Sequence, residues 1–122
     1  TTGGNYSIKN AKNTRVILMV MSGNSPACMK AVPILNQLRS EFARGELLIL
    51  GVSSDKPIVA EAFVNRTGPR FPVGTARSLP EPYADAQAKP TFFIIDRAGV
   101  IEAILIGPKS LAQLRAAAQG KP

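Results

Sequence analysis

Residues 16–33 constrain the fold more than any other part of the chain. They open with an unbroken apolar run, residues 16–21, as expected of a strand that is buried on both faces of a sheet. After a Ser-Gly-Asn turn, Ser25 and Pro26 supply the N-cap and the first-turn proline that mark the start of a helix. The chain's only cysteine, Cys28, lies on the apolar face of this helix. The sequence therefore predicts a strand–turn–helix junction with a cysteine one turn inside the helix.

Composition and charge limit the kinds of protein this chain can be. Its 122 residues, 45% of them hydrophobic, predict one globular domain over residues 15–122, preceded by a leader of residues 1–14. Apolar runs of about six residues are far shorter than the ~20 that a membrane helix needs, although a signal or anchor removed from the N-terminus would leave the same sequence. The net charge is +7, but the fifteen Lys and Arg residues are scattered singly, which argues against nucleic-acid binding. An acidic partner protein or an anionic membrane surface fits this charge at least as well.

Few residue types are present that could carry out chemistry. With one cysteine and no histidine, the chain cannot form an internal disulfide and lacks the usual metal sites and catalytic triads. No metal or other cofactor is implied. Any covalent chemistry therefore has to involve Cys28.

The rest of the chain alternates between strand and helix signals. A second apolar run, residues 47–52, predicts a strand parallel to the first, because a helix connects the two. The remaining predicted elements are a helix over residues 57–66, a proline-rich segment of weak signals over 68–89, strands over 91–95 and 100–106 joined by a turn, and a helix from Ser110 to Ala118. The order is β-α-β-α followed by β-β-α. It predicts an α/β fold with one mixed sheet of four strands and helices on both faces.

Two motifs in this order resemble the thioredoxin-fold thiol-disulfide oxidoreductases of the TlpA-like class, with the MauD-like proteins as close relatives. The first is Ser25-Pro-Ala-Cys28 with Pro33 five residues later, where the family has Cys-x-x-Cys at the start of a helix. The second is Pro90-Thr-Phe-Phe-Ile-Ile-Asp96-Arg-Ala-Gly99, which is similar to the family's cis-proline, strand and turn. The resemblance covers roughly residues 14 to 119.

The resemblance implies a function, a location and a set of site residues. Family members exchange thiols and disulfides with a protein substrate and a redox partner protein, in the periplasm or another extracytoplasmic compartment of bacteria. Ser25 occupies the position of the attacking cysteine, and Cys28 that of the resolving cysteine. The residues implied in substrate binding are Pro26, Ala27, Lys89, Pro90 and Thr91. Lys89 is a less usual residue at its position.

The match departs from the family at the position that matters most. In the family, the first cysteine attacks a substrate disulfide and the second resolves the mixed disulfide. The hydroxyl of Ser25 does not ionise near neutral pH, so the chain as written should have no dithiol cycle. Two further departures are Met19, where thioredoxins have a buried acid, and Asn24, where a tryptophan is common.

Three hypotheses account for Ser25. The chain can be an engineered, inactivated form of a Cys-Pro-Ala-Cys enzyme, or a natural thioredoxin-fold module that binds partners without turnover. The third hypothesis is a peroxidase that uses Cys28, since peroxiredoxins carry Thr/Ser-x-x-Cys. Peroxiredoxins also need a proline four residues before the Thr/Ser, and here that residue is Met21. A fourth interpretation has no function at all, because a lone cysteine on an apolar helical face is usually part of the core.

Overall fold

A computed structural model describes residues 13–76, 82–83 and 89–121 of the chain, and it contains one sheet and three α-helices. The elements in chain order are β1 (Arg15–Met21), α1 (Pro26–Glu41), β2 (Leu47–Ser53), α2 (Pro57–Thr67), β3 (Val73–Thr75), β4 (Thr91–Ile95), β5 (Ile101–Ile106) and α3 (Leu111–Ala118). No helix within these ranges is long and apolar enough to cross a membrane.

The sheet is mixed, as the sequence predicts, but it has five strands rather than four. Its order is β3-β2-β1-β4-β5, with β1 parallel to β2 and antiparallel to β4. The predicted hairpin is also present, since β5 pairs antiparallel with β4. The additional strand is β3, which pairs parallel with the end of β2 through only three residues. The sequence predicts no more than a short extended piece there, because the run is brief and contains Pro72.

The two faces of the sheet bury different side chains of the same strands. In β1, Ile17, Met19 and Met21 face the main hydrophobic core, whereas Val16, Leu18 and Val20 face a second, smaller cluster. This alternation is the period-two geometry of a strand that is covered on both sides. It explains why the run 16–21 contains no polar residue.

The three helices bring their buried side chains to the main core. Cys28 and Leu35 of α1, Phe63 of α2 and Leu114 of α3 all belong to it. Burying a side chain such as leucine or phenylalanine contributes roughly 1.5–3 kcal/mol, so this face anchors the sheet. On the opposite face of the sheet, Tyr83 packs against the smaller cluster. Its ring stands edge-on to that of Phe93, at a centroid distance of 4.8 Å. The sequence predicts helices on both faces, but the three described helices all contribute to the main core and none to the smaller cluster. The helical turn predicted between residues 79 and 88 falls largely outside the described residues.

Helix α1 ends earlier than the sequence suggests. Gly45 is the expected stop signal, but the helix ends at Glu41, and Phe42 is already extended. Just past this end, the guanidinium of Arg39 donates hydrogen bonds to the carbonyls of Leu47, Phe42 and Ala43. These carbonyls all lie beyond the end of the helix, so Arg39 holds the connection between α1 and β2 against the last turn of α1.

The ion pair between α1 and α3 predicts a pH-dependent contribution to stability. Glu41 accepts two hydrogen bonds from Arg115, at 2.7 and 2.8 Å. These bonds, together with one from Gln37, lower the pKa of Glu41 from 4.5 to about 2. Because the folded-state pKa is depressed, the stabilisation is complete above pH ~4.5 and is lost as the pH falls toward 2.

We therefore expect Glu41→Gln to lower the free energy of unfolding slightly at neutral pH and by much less near pH 2. Urea denaturation of both proteins from pH 7 to pH 2 measures this difference. It should also shrink at high salt, because the pair is exposed. A difference that is constant across this pH range would contradict the assignment.

Candidate active site

The turn after β1 places Ser25 and Cys28 at the start of α1. Ser25 is the N-cap, and its Oγ accepts a hydrogen bond from the backbone N–H of Cys28 at 3.2 Å. Its own N–H donates to the carbonyl of Ser22. Pro26 occupies the first helical position, where its missing N–H removes no helical hydrogen bond. The sequence-predicted cap is therefore correct in detail.

Ser25 and Cys28 differ in exposure. Ser25 is half-buried, whereas the side chain of Cys28 is 0% exposed and lies in the main core. Pro26 is exposed and Ala27 half-buried, so the outer surface of the turn is formed by Ser25, Pro26 and Ala27. A reagent or partner protein can thus reach position 25, while Cys28 is shielded from solvent. This is the difference that an attacking and a resolving position require.

The segment that precedes β4 lies at the same end of the sheet. The Lys89–Pro90 peptide bond is cis, and Thr91 pairs with Val20 near the end of β1. Because β4 runs antiparallel to β1, Pro90 comes next to the point where β1 leads into the Ser25 turn. Pro90 and Thr91 are buried, Lys89 is half-buried, and the carbonyl of Pro90 accepts a hydrogen bond from Gly107 at 2.9 Å. The substrate-binding role of these three residues stays a prediction.

A polar network that the sequence does not reveal holds the turn in place. The Oδ2 of Asp55 accepts hydrogen bonds from the backbone N–H of Gly23 at 2.7 Å and from the hydroxyl of Ser53 at 2.6 Å. Ser53 is fully buried at the end of β2, and its Oγ in turn accepts from the N–H of Asp55. One sequence signal could have indicated this contact. The predicted parallel pairing of β1 and β2 brings the residues that follow the two strands to the same edge of the sheet.

This network corrects one sequence-based interpretation. From its place between the second strand and the second helix, the sequence predicts that Asp55 is a helix cap or a surface charge, yet the N-cap of α2 is Lys56, which makes no capping side-chain hydrogen bond. Asp55 instead connects the end of β2 to the turn before α1. The same two roles are predicted for Glu61, which lies exposed on α2 as a surface charge.

Gly23 brings the turn close to α2. A Cβ at this position would come within 2.9 Å of Cγ1 of Val59 and 3.1 Å of its carbonyl oxygen, so only glycine fits without movement of the helix. Beside this contact lies an open groove of about 200 Å³, which we call the Ile58 groove. Its lining residues are Gly23, Asn24, Met29, Ile58, Val59, Ala62, Phe63 and Arg66.

The chemistry available at this end of the sheet is that of a thiol at a helix start. The N-terminus of α1 carries a partial positive charge that favours an anion, including a thiolate, at the first turn. Within the described ranges, no group of three or more His, Cys, Asp or Glu side chains could hold a metal ion.

Solved structures share this fold with the chain. A thiol-disulfide isomerase from Corynebacterium glutamicum superimposes with a TM-score of 0.82 at 16% identity, over 96% of this chain and 86% of that one. A thiol:disulfide interchange protein of the thioredoxin family from Chlorobium tepidum TLS gives 0.80 at 21%, over 95% and 85%. A secreted Mycobacterium tuberculosis disulfide oxidoreductase homologous to E. coli DsbE gives 0.75 at 14%, over 92% and 85%. These likenesses show the thioredoxin fold.

Sequence comparison assigns the family. A search of curated proteins gave no match. The sequence model of the AhpC/TSA family, however, matches residues 1–104, which is most of the chain. The strand–turn–helix junction with Cys28 and most of the sheet fall inside that match. This protein therefore belongs to the AhpC/TSA family and has the thioredoxin fold.

Proposed function

We propose that the chain has the architecture of a protein thiol-disulfide oxidoreductase in which Ser25 blocks the redox cycle. The observation that carries this proposal is the contrast at the start of α1, where position 25 is accessible and Cys28 is fully buried one turn further on. The family assignment, the fold of the oxidoreductases named above and the adjacent Pro90 segment support it.

In an active form with cysteine at position 25, the reaction would proceed in two balanced steps. The thiolate at position 25 attacks one sulfur of a substrate disulfide, and the other substrate sulfur leaves as a thiolate. The thiolate of Cys28 then attacks the sulfur at position 25, which closes an intramolecular disulfide and releases the second substrate thiol. Two electrons pass from the protein dithiol to the substrate. The steps run in reverse when the substrate is a dithiol.

Ser25 stops this sequence at its first step. Its hydroxyl stays protonated near neutral pH and cannot form a disulfide, so only Cys28 retains a sulfur. The test is to introduce a cysteine with Ser25→Cys and to measure disulfide exchange. Activity of the folded variant supports the proposal, whereas inactivity in both the reducing and the oxidising direction rejects it.

A second candidate function is partner binding without turnover. The observation that favours this candidate is that serine fits well at position 25. The Oγ of Ser25 accepts a hydrogen bond from the backbone N–H of Cys28 and so caps α1. This candidate predicts a stable partner complex that persists in Cys28→Ala, because no sulfur is needed for it. An engineered origin of Ser25 predicts a cysteine codon at this position in the parent gene.

Burial of Cys28 predicts that its thiol reacts slowly with peroxide. A peroxidase cysteine must attack a peroxide oxygen to give a sulfenic acid and release water, so its sulfur has to be reachable. Cys28 is 0% exposed, and reagents reach such a thiol only when the structure opens locally. We expect hydrogen peroxide and Ellman's reagent to consume the Cys28 thiol at least ~100-fold more slowly in the folded protein than in urea.

Time-dependent thiol titration of folded and unfolded protein measures this protection. Conversion of the folded protein to a sulfenic acid within seconds would instead favour the peroxidase hypothesis.

A location outside the cytoplasm is part of the proposed oxidoreductase function. It is supported by the fold shared with the secreted Mycobacterium tuberculosis oxidoreductase.

A further inference from the structure

We propose that the Ile58 groove receives the partner segment that reacts at position 25, and that this segment carries a large apolar side chain next to a carboxylate. The inference rests on the proposed exchange function, because it names the kind of partner for that same site. Three properties of the groove lead to it: its position, its apolar rim and its charge.

The groove begins at the reacting position. Asn24 lines it and is covalently bonded to Ser25, so the Cα atoms of the two residues are ~3.8 Å apart. An extended segment advances ~3.3 Å per residue. A segment whose sulfur lies at position 25 therefore places a side chain one to three residues away over the groove.

The size and rim of the groove suit one apolar side chain. A volume of about 200 Å³ is below the ~300–1,000 Å³ typical of cofactor and drug sites, so a small-molecule cofactor does not fit well. Ile58, on its rim, is a large apolar residue that is 72% exposed, and Met29 and Phe63 form part of the wall. A leucine-sized partner side chain would cover Ile58 and remove this apolar surface from water.

The charge of the groove favours an acidic neighbour. Arg66 lines it, is exposed, and forms no ion pair within residues 13–76, 82–83 and 89–121. The carboxylate of Asp55, by contrast, is half-buried and held by hydrogen bonds from Gly23 and Ser53. With a net charge of +7, the chain as a whole also attracts acidic segments.

The experiment measures mixed-disulfide formation with four peptides in a Ser25→Cys, Cys28→Ala background. Each peptide carries one cysteine activated as a disulfide with thionitrobenzoate, flanked on both sides by Leu or by Gly and then by Glu or by Lys. Attack on the peptide sulfur forms the protein–peptide disulfide and releases the coloured thiolate, which is the better leaving group. Rates are divided by those of β-mercaptoethanol with the same peptide, which removes differences in intrinsic reactivity.

We expect the Leu/Glu peptide to react fastest. Its normalised rate should be about tenfold higher than that of the Gly/Glu peptide, which is the size of discrimination expected for an apolar side chain in a pocket. It should be about two- to fivefold higher than that of the Leu/Lys peptide, as expected for an exposed ion pair. Arg66→Glu should reverse the charge preference, whereas Arg44→Glu, at the opposite end of the sheet, should not. Ile58→Ser should weaken the Leu preference, whereas Val100→Ser should not, because Val100 is also an exposed apolar residue but lies in the β4–β5 turn, far from the groove.

The possible results distinguish a failure of the groove assignment from a failure of the proposed exchange function on which it rests. If Ser25→Cys exchanges protein disulfides but the four peptides react within twofold of one another, the groove assignment is wrong and the function stands. Control variants that shift the preferences as much as the groove variants also overturn the assignment. Self-association that Ile58→Ser abolishes, without any peptide preference, would mean that a second copy occupies the groove instead. If Ser25→Cys exchanges no protein disulfide at all, the proposed function itself fails.

Discussion

Ser25→Cys should reduce insulin disulfides at a rate at least ~100-fold above that of the unaltered protein. The gain arises because two thiols then lie one helical turn apart, where side chains are neighbours. Well-oriented intramolecular reactions reach effective molarities of ~10⁵–10⁸ M, so Cys28 should resolve the mixed disulfide faster than any external thiol. The helix N-terminus should lower the pKa of the introduced thiol below its ordinary value of ~8.5, which raises the thiolate fraction at neutral pH.

Two control variants separate the chemistry from the fold. Ser25→Ala removes the same cap hydrogen bond without adding a thiol, and it should remain inactive. Losing the cap costs about 0.5–2 kcal/mol in both variants, so urea denaturation should give them similar stabilities. Ser25→Cys combined with Cys28→Ala should stop at the mixed disulfide and accumulate a covalent adduct. Absence of both insulin reduction and peptide oxidation by folded Ser25→Cys would contradict the prediction.

Asp55→Ala should have the second-largest effect, on stability and on exchange together. The carboxylate accepts from Gly23 and Ser53, and hydrogen bonds to charged groups contribute ~1.5–3 kcal/mol each. The fully buried hydroxyl of Ser53 would also lose its acceptor. We expect the free energy of unfolding to fall by about 2–4 kcal/mol.

The effect on exchange is measured in the Ser25→Cys background, at a temperature where the variant is folded. Without Asp55, the turn that leads to position 25 is no longer fixed to the end of β2. Small displacements of a reacting group can cost up to ~100-fold, so the exchange rate should fall by roughly 10- to 100-fold.

Asp96→Ala is the matched control for this variant. The Asp96 Oδ1 accepts from the N–H groups of Ala98 and Val100 in the β4–β5 turn, at the opposite end of the sheet. Its loss should cost about 1–2 kcal/mol and leave the exchange rate within about twofold. Equal losses of exchange activity in the two variants would show that Asp55 acts only through general stability.

The elements that the sequence predicts well are those with strong local signals. The strand over residues 16–21 is an unbroken apolar run, and Ser25-Pro26 marks the start of α1 without reference to the rest of the chain. The β4–β5 hairpin is likewise encoded locally, by two apolar runs around the Asp96 turn. Each of these features depends on residues only a few positions apart, so pattern and turn chemistry are sufficient to locate them.

The features that the sequence does not predict depend on tertiary contacts. Strand β3 has only three residues, and its existence depends on pairing with the end of β2. The connection that follows α1 is held by Arg39, which reaches a carbonyl as far along the chain as Leu47. The hydrogen bond between Gly23 and Asp55 joins residues 32 positions apart, and only the parallel pairing of β1 and β2 brings them together. The groove beside Ile58 likewise exists only once α2 is packed against the turn.

The most direct test of the central claim is a count of free thiols in Ser25→Cys before and after mild oxidation. If position 25 is the attacking position and Cys28 the resolving one, both thiols should disappear together without the formation of disulfide-linked dimers. Reduction by dithiothreitol should restore them. An oxidised sample that keeps the Cys28 thiol, or that loses the position-25 thiol only by forming disulfide-linked dimers, would contradict the account.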